Sequence, residues 1–232
     1  PARQIPAAKW LAEHPTRAAL DVLRFGMESN DLAVRAASAT AIGATGDARA
    51  MAHASRILRA DALSPDRKMA EVALEGMRGV GGAALPDLVT VAILTTDQYL
   101  QLLVRAIIAE ILTTATDTQR RAAAAAIVDG VEETDPDLYR AAYAILVTFA
   151  PLASTELVDL GLGHHSRRIQ LTTMMGMSDA SCLAAAPAIE AFLYDADSVL
   201  RLEAARSLGS IGGPNVVSAL EEVAGSDPVL DV

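Results

Sequence analysis

Aromatic residues are scarce in this chain: Phe, Trp and Tyr make up 3% of it, although 52% of its residues are hydrophobic. Ala, Leu, Val and Ile provide most of that hydrophobic fraction. Small aliphatic side chains allow helices to pack closely, and Ala has the highest helix propensity of all residues. The composition therefore predicts an all-α fold with almost no β-strand.

Cysteine and long apolar runs are lacking as well. Cys182 is the only cysteine, which excludes an internal disulfide and a cysteine-based metal cluster. The best apolar run, 99–115, is interrupted by Arg105 and Glu110, and a bilayer span needs ~20 apolar residues. The N-terminus has no apolar signal core. We therefore expect a cytoplasmic protein without direct membrane insertion and without a cofactor.

Positively charged residues are few in the second half of the chain. Residues 1–116 carry 12 Lys and Arg and 12 Asp and Glu, whereas residues 117–232 carry 7 and 17. The whole net charge of −10 therefore lies in the second half. An acidic body repels phosphate backbones, so we expect protein or peptide partners and no nucleic acid.

A period of about 35 residues is present instead. Arg35, Arg105 and Arg140 are spaced by multiples of 35, and Arg168 and Arg201 continue the series at steps of 28 and 33. Apolar and small residues recur at offsets +3, +4, +7, +8 and +11 from Arg35 and from Arg201, which is the spacing of one helical face. Such a period predicts tandem two-helix units that each contact only their neighbours.

Each unit is expected to hold an A helix followed by an arginine-bearing B helix. The predicted B helices cover 31–45, 64–79, 97–115, 135–150, 165–178 and 197–211. The predicted A helices cover 16–29, 47–60, 83–95, 117–129, 152–162, 180–194 and 214–224, with a short lead-in at 10–14. The chain does not begin with Met, and 226–228 resemble the start of another B helix. We therefore expect one repeat domain over residues 1–232, cut from a longer array.

Two units resemble HEAT repeats, in the short bacterial form also found in phycobilin lyases. That resemblance implies a right-handed superhelix with the B helices on its concave side. It also implies a buried ladder of Asp and Arg, in which Asp31 with Arg35 and Asp197 with Arg201 are structural. The residues that carry it are Asp31, Val34, Arg35, Ile42, Gly43, Gly46 and Asp47, then Asp197, Arg201, Ala204, Ala205, Leu208, Gly209 and Gly212.

Signatures of the catalytic HEAT-like proteins are weak or absent. No His-Glu dipeptide of the di-iron hydroxylase type occurs, and the acidic, aromatic-poor chain does not suit a DNA glycosylase. His164 and His165 are adjacent, so on a helix they diverge by about 100° and do not easily share one metal ion. A basic stripe (Arg49, His53, Arg56 and Arg59) is either an ordinary polar face or a contact for an acidic partner or lipid.

Variable offsets +2, +5 and +9 from the arginine predict which side chains face the concave groove. An exposed apolar strip there would bind a peptide or helix, with Glu75 and Glu110 favouring basic flanks. The alternative is that these side chains are buried between adjacent B helices. The predicted partner-binding residues are Val72, Glu75, Ile107, Glu110, Ile145, Phe149, Gln170, Met177 and Arg206.

A non-enzymatic protein-interaction scaffold is the function that this pattern favours. A regulatory or sensor segment of a larger, membrane-linked protein is the alternative, and a lyase or glycosylase of the same fold is less favoured. The substitution Ile145→Asp distinguishes an exposed groove position from a buried core position. It removes partner binding if Ile145 lines the groove, and it unfolds the protein if Ile145 belongs to the core.

Overall fold

The computed structural model describes residues 3–14, 16–213 and 216–226. In these ranges no β-strand occurs, and helices follow one another through short loops. The prediction of an all-α fold built from successive helices is confirmed for these ranges. The right-handed superhelix stays a prediction.

The helices agree closely with the predicted segments. The first helix is longer than the predicted lead-in at 10–14, because it begins at Gln4. The B helices are α3, α5, α7, α9, α11 and α13. The full set is α1 (Gln4–Glu13), α2 (Arg17–Met27), α3 (Leu32–Thr45), α4 (Ala48–Ala62), α5 (Arg67–Val80), α6 (Leu85–Leu94), α7 (Gln98–Leu112), α8 (Asp117–Glu132), α9 (Pro136–Phe149), α10 (Ser154–Leu157), α11 (Arg167–Asp179), α12 (Ala186–Glu190), α13 (Ser198–Ile211) and α14 (Val216–Ser226).

Aspartate side chains start nearly all of the B helices. An N-cap carboxylate accepts hydrogen bonds from backbone N–H groups that the first helical turn leaves without a partner. Ser166 starts α11 without such a side-chain bond. The aspartate N-caps are Asp31, Asp66, Asp97, Asp135 and Asp197, and each accepts at least one N–H of the following turn.

The chain forms two compact units, residues 1–123 and 124–232, and the boundary lies inside α8. We call them the N-terminal and C-terminal units. Whether both belong to the single repeat domain predicted over residues 1–232 stays a prediction. The unfinished repeat expected at 226–228 lies almost wholly outside the described residues.

The A layer differs between the two units. In the N-terminal unit, α4 and α6 are regular helices. In the C-terminal unit, the segments predicted as single helices, 152–162 and 180–194, are divided. The first consists of α10 followed by a short π-helix at Val158–Leu162. The second consists of α12 between two short 3₁₀-helices, Leu183–Ala185 and Ala191–Tyr194.

One continuous helical run, Arg67–Leu94, has the length and apolar character of a membrane span, which the sequence analysis overlooked. It contains α5, a 3₁₀ turn at Gly81–Ala84 and α6, and 56% of its most apolar window is buried within the protein. Gly81 has a positive φ of 77°, which only glycine adopts readily. A buried, interrupted run of this kind is what a core helical hairpin presents.

Glycines allow α3 and α5 to pack very closely in the N-terminal unit. A Cβ atom at Gly43 would overlap the backbone carbonyl of Gly79, and one at Gly79 would overlap the side chain of Thr40. Gly76 faces Ala36 in the same contact. Because backbone atoms stand in the way, the two helices would have to separate to admit larger residues.

We expect Gly43→Ala to destabilise the protein by about 1–3 kcal/mol, since its new methyl group overlaps a carbonyl. Gly209 lies eight residues after Arg201, as Gly43 does after Arg35, but nothing lies within 4 Å of its Cβ position. Gly209→Ala is therefore the matched control, and we expect it to stabilise α13 by about 0.5–1 kcal/mol. Chemical denaturation of both variants measures this, and equal effects would contradict the close contact.

Candidate partner-binding surface

One position, which we call the slot, lies four residues after each B-helix N-cap, and in α3, α7, α11 and α13 its side chain donates to a backbone carbonyl that precedes the helix. Arg35 Nη1 donates to the Ser29 carbonyl at 2.6 Å, and Gln101 Nε2 donates to the Thr95 carbonyl at 2.8 Å. In α3 and α7 the slot thus falls six residues after the carbonyl that its side chain contacts. In chain order the slot holds Arg35, Ala70, Gln101, Tyr139, Gln170 and Arg201.

Three arginines of the predicted 35-residue register lie outside this slot. Arg105 comes four residues after the slot of α7, and its buried Nε has no hydrogen-bond partner in the described part of the chain. Arg140 lies one residue after Tyr139 and pairs with Asp137 at 3.1 Å. Arg168 precedes the slot of α11 and donates to the carbonyl of Glu133 at 2.8 Å. The predicted phase of the central units was therefore wrong.

Because the phase was wrong, four of the predicted groove residues belong to the core. Ile145, Phe149 and Met177 have no exposed surface, and Ile107 is 4% exposed. Counted from the corrected slot, Ile145 and Phe149 fall at offsets +6 and +10 and Met177 at +7, which face inward. These four side chains are buried, as the alternative interpretation expected, and they therefore do not form the predicted exposed apolar strip.

The remaining predicted residues keep contact with solvent. Val72 is 38% exposed on α5, and Glu75, Glu110 and Arg206 are exposed as well. Gln170 is half-buried, since it occupies the slot of α11 and its Nε2 donates to the Leu162 carbonyl at 3.2 Å. No structural observation tests whether these residues bind a partner.

Glu75 and Glu110, the acidic residues predicted to line the groove, both pair with an arginine of this protein. Arg78 on α5 binds Glu110 on α7, with Nη2 and Oε2 2.6 Å apart, and lies 3.5 Å from Glu75. The hydrogen bond and charge of Glu110, followed by the charge of Glu75, raise the pKa of Arg78. Both carboxylates therefore already share one guanidinium, which weakens the case for a basic-flanked ligand.

Exposed apolar side chains that the sequence analysis missed lie on the same B helices. Leu102 on α7 is 68% exposed, and Tyr99 is about half exposed. In the C-terminal unit, Met175 on α11 and Val199 on α13 are exposed. The N-cap residue of each helix, Asp or Ser, was a sequence signal for where the helix starts, but the structure shows which offsets from it reach solvent.

The HEAT resemblance implied a buried pair of Asp31 with Arg35, but each of these residues has another partner in the structure. Asp31 caps α3, whereas Arg35 makes a fork-like contact with Asp61 at the end of α4, at 2.7 Å. Both side chains of this pair are less than one-fifth exposed. Removing one partner of such a pair costs about 3–5 kcal/mol. The structural role of Arg35 is therefore supported, but not its pairing with Asp31.

A second ladder connects successive B helices. Arg67 is the first residue of α5 and binds the N-cap Asp97 of α7 at 2.6 Å. Arg167, the first residue of α11, binds the N-cap Asp197 of α13 at 2.9 Å in the same way. The hydrogen bond from Arg67 is the largest cause of the lowered pKa of Asp97. One carboxylate thus caps its own helix and ties it to the preceding B helix.

Catalytic or metal chemistry finds little support in the geometry. His164 and His165 contact each other with ring centroids 4.3 Å apart, and His164 Nδ1 accepts the N–H of Ser166. Among residues 3–14, 16–213 and 216–226, no group of three His, Cys, Asp or Glu side chains could hold a metal ion. Cys182 is buried.

We expect Ile145→Asp to unfold the protein, because it places an unpaired carboxylate in a site with no exposed surface. The expected loss exceeds about 4 kcal/mol, measured by thermal or urea denaturation. Leu102→Asp is the control on an exposed B-helix position and should leave the melting temperature within a few degrees. A stable Ile145→Asp variant would contradict the corrected phase.

The Tyr143 hydroxyl donates to the Asp179 carboxylate at 2.6 Å. Burial, followed by this hydrogen bond, raises the pKa of Tyr143 above that of a free phenol. Because the folded state holds the proton more tightly, the stabilisation is complete below pH ~10 and is lost as the pH rises above it. We expect Tyr143→Phe to lose less stability between pH 9 and 11 than the parent, in urea denaturation. Identical alkaline losses in the two proteins would contradict it.

Comparison with known proteins gives a structural likeness only. No protein-family model and no curated protein matches this chain. A crystal structure of importin beta, determined in an ammonium sulfate condition, matches 97% of this chain at 14% identity with a TM-score of 0.37. The match covers 35% of the importin beta chain, so this chain spans about a third of its length.

Proposed function

We propose that this chain is a non-enzymatic scaffold that binds a peptide or helix of a partner protein on the exposed face of its B helices. The observation that carries the proposal is the set of apolar side chains left exposed there. Leu102 and Val72 lie on neighbouring helices of the N-terminal unit, and Met175 and Val199 on neighbouring helices of the C-terminal unit. Exposed apolar surface of this kind favours contact with a partner.

The proposed surface differs from the sequence-based one in its residues. Val72, Glu75, Glu110, Gln170 and Arg206 remain in it because they reach solvent. Leu102, Tyr99, Met175 and Val199 join it, and Ile107, Ile145, Phe149 and Met177 leave it for the core. Because Arg78 neutralises Glu75 and Glu110, apolar contacts supply most of the binding and the charges limit its orientation.

The other parts of the proposal rest on sequence. We place the protein in the cytoplasm, without a cofactor, and group it with the short bacterial HEAT-like repeats. The regulatory-segment alternative was motivated by residues 227–232, which lie outside the described ranges. A lyase or glycosylase is disfavoured, because Glu75 and Glu110 already bind Arg78.

We expect Leu102→Asp to abolish capture of the natural partner, because it replaces the most exposed apolar side chain named on the B helices of the N-terminal unit with a charge. Its side chain is 68% exposed, so the variant should fold normally. Val217→Asp is the matched control, since Val217 is 63% exposed on α14, which is not a B helix. The measurement is quantitative mass spectrometry of proteins cross-linked to each variant in extracts of the source organism.

Proteins lost with Leu102→Asp and retained with Val217→Asp would support the proposal. Capture of the same proteins at the same level by both variants and the parent would contradict it. Circular dichroism of each variant excludes unfolding as the cause of any loss.

A further inference from the structure

The exposed face of α4 carries two arginines with a histidine between them, Arg49, His53 and Arg56. Their spacings of four and three residues place them on one side of the helix, and all three are exposed. They occupy about 10 Å along the helix axis. We call this group the α4 cationic face. It lies on an A helix, apart from the B-helix surface proposed above.

Arg59, the fourth member of the basic stripe seen in the sequence, has a different environment. It turns toward α6 and binds Asp87 at 3.0 Å, and Asp87 also accepts a hydrogen bond from Ser55 at 2.6 Å. This network links two A helices and accounts for Arg59 as a structural residue. The structure thus separates one paired arginine from the other three residues.

Carboxylate partners for the α4 cationic face are not found in the described part of the chain. Arg56 Nε makes one weak contact, to the Ala52 carbonyl of its own helix at 3.4 Å. The nearby Asp47 caps α4 through the Ala50 N–H and lies 4.0 Å from Arg24. Other arginines of the N-terminal unit pair with carboxylates, namely Arg24, Arg35, Arg59, Arg67, Arg78 and Arg120.

This arrangement does not help α4 to fold. Arg49 is the second residue after the N-cap Asp47, where the positive end of the helix dipole disfavours a cation. A cluster that costs helix stability and has no internal partner is suited to binding an anionic group from outside.

The charge of the whole protein limits what that group is. The net charge of −10 lies entirely in residues 117–232, so the half that contains α4 has no excess of positive charge with which to hold a long polyanion such as nucleic acid or an anionic bilayer. A short acidic segment experiences mainly the charges within a Debye length, about 8 Å at physiological salt. The α4 cationic face provides a locally positive field on that scale.

We propose that the α4 cationic face binds a short acidic segment of a partner protein. Arg49 and Arg56 form ion pairs with its carboxylates, and His53 between them donates a hydrogen bond. This contact is separate from the B-helix surface, so one chain can hold two partner segments at once.

Fluorescence anisotropy with a labelled glutamate-rich peptide tests this, beside the same peptide with every Glu replaced by Gln. We expect the parent protein to bind the acidic peptide and not the Gln peptide. Arg49→Gln combined with Arg56→Gln should weaken binding about five- to tenfold, as expected for two exposed ion pairs. Its melting temperature should not fall, since both side chains are exposed and Arg49 lies in the first turn of α4, where the helix dipole disfavours a cation. Arg56→Gln alone should give a smaller loss.

Lys9→Gln combined with Arg140→Gln is the control, because it removes two exposed positive charges elsewhere. It should change affinity less than about twofold. Leu102→Asp should bind the acidic peptide as the parent does, which separates this site from the B-helix surface. Equal losses in the two double variants would overturn the proposal. So would a parent that does not bind the peptide, or one that binds phosphatidylserine vesicles or single-stranded DNA more tightly.

Discussion

The N-cap aspartate is the constraint on which the rest of this structure depends. By fixing the residue at which each B helix begins, it fixes which side chains turn inward and which turn to solvent. From Asp97, counting along α7 places Ile108 in the core and Leu102 outside. In two cases, Asp97 and Asp197, the same carboxylate also binds the first arginine of the preceding B helix. One aspartate carboxylate therefore both caps its own helix and ties that helix to the preceding B helix.

Close packing of small residues is the second requirement. The contact of α3 with α5 depends on Gly43, Gly76 and Gly79, where a methyl group would meet backbone or a neighbouring side chain. A chain poor in aromatics can build such an interface, because Ala and Gly allow helix backbones to approach. The A layer of the C-terminal unit, with its π-turn and 3₁₀ turns, is less regular than that of the N-terminal unit. Tandem hairpins tolerate this variation, since each contacts only its neighbours.

Charge has two roles in this protein. Arginines near the interfaces, such as Arg35 with Asp61 and Arg59 with Asp87, hold helices together over 26 and 28 residues of sequence. The cations of the α4 cationic face have no such partner in the described part of the chain, and the exposed leucine and methionine of the B helices have no hydrophobic cover. Exposed side chains that find no partner within the described part of the protein are therefore the candidate binding surfaces.

The sequence by itself determined the helices and their order, because Asp at the start, helical apolar spacing and Gly at the end act within one segment. It did not determine the phase of the central units. Arg105, Arg140 and Arg168 followed a regular spacing without sharing a role, whereas the slot that matters holds Gln101, Tyr139 and Gln170. Only the tertiary structure decided that Ile145 is core and Leu102 is surface. Burial depends on where a helix touches its neighbours, and a rotation of one residue, about 100°, is enough to exchange the two.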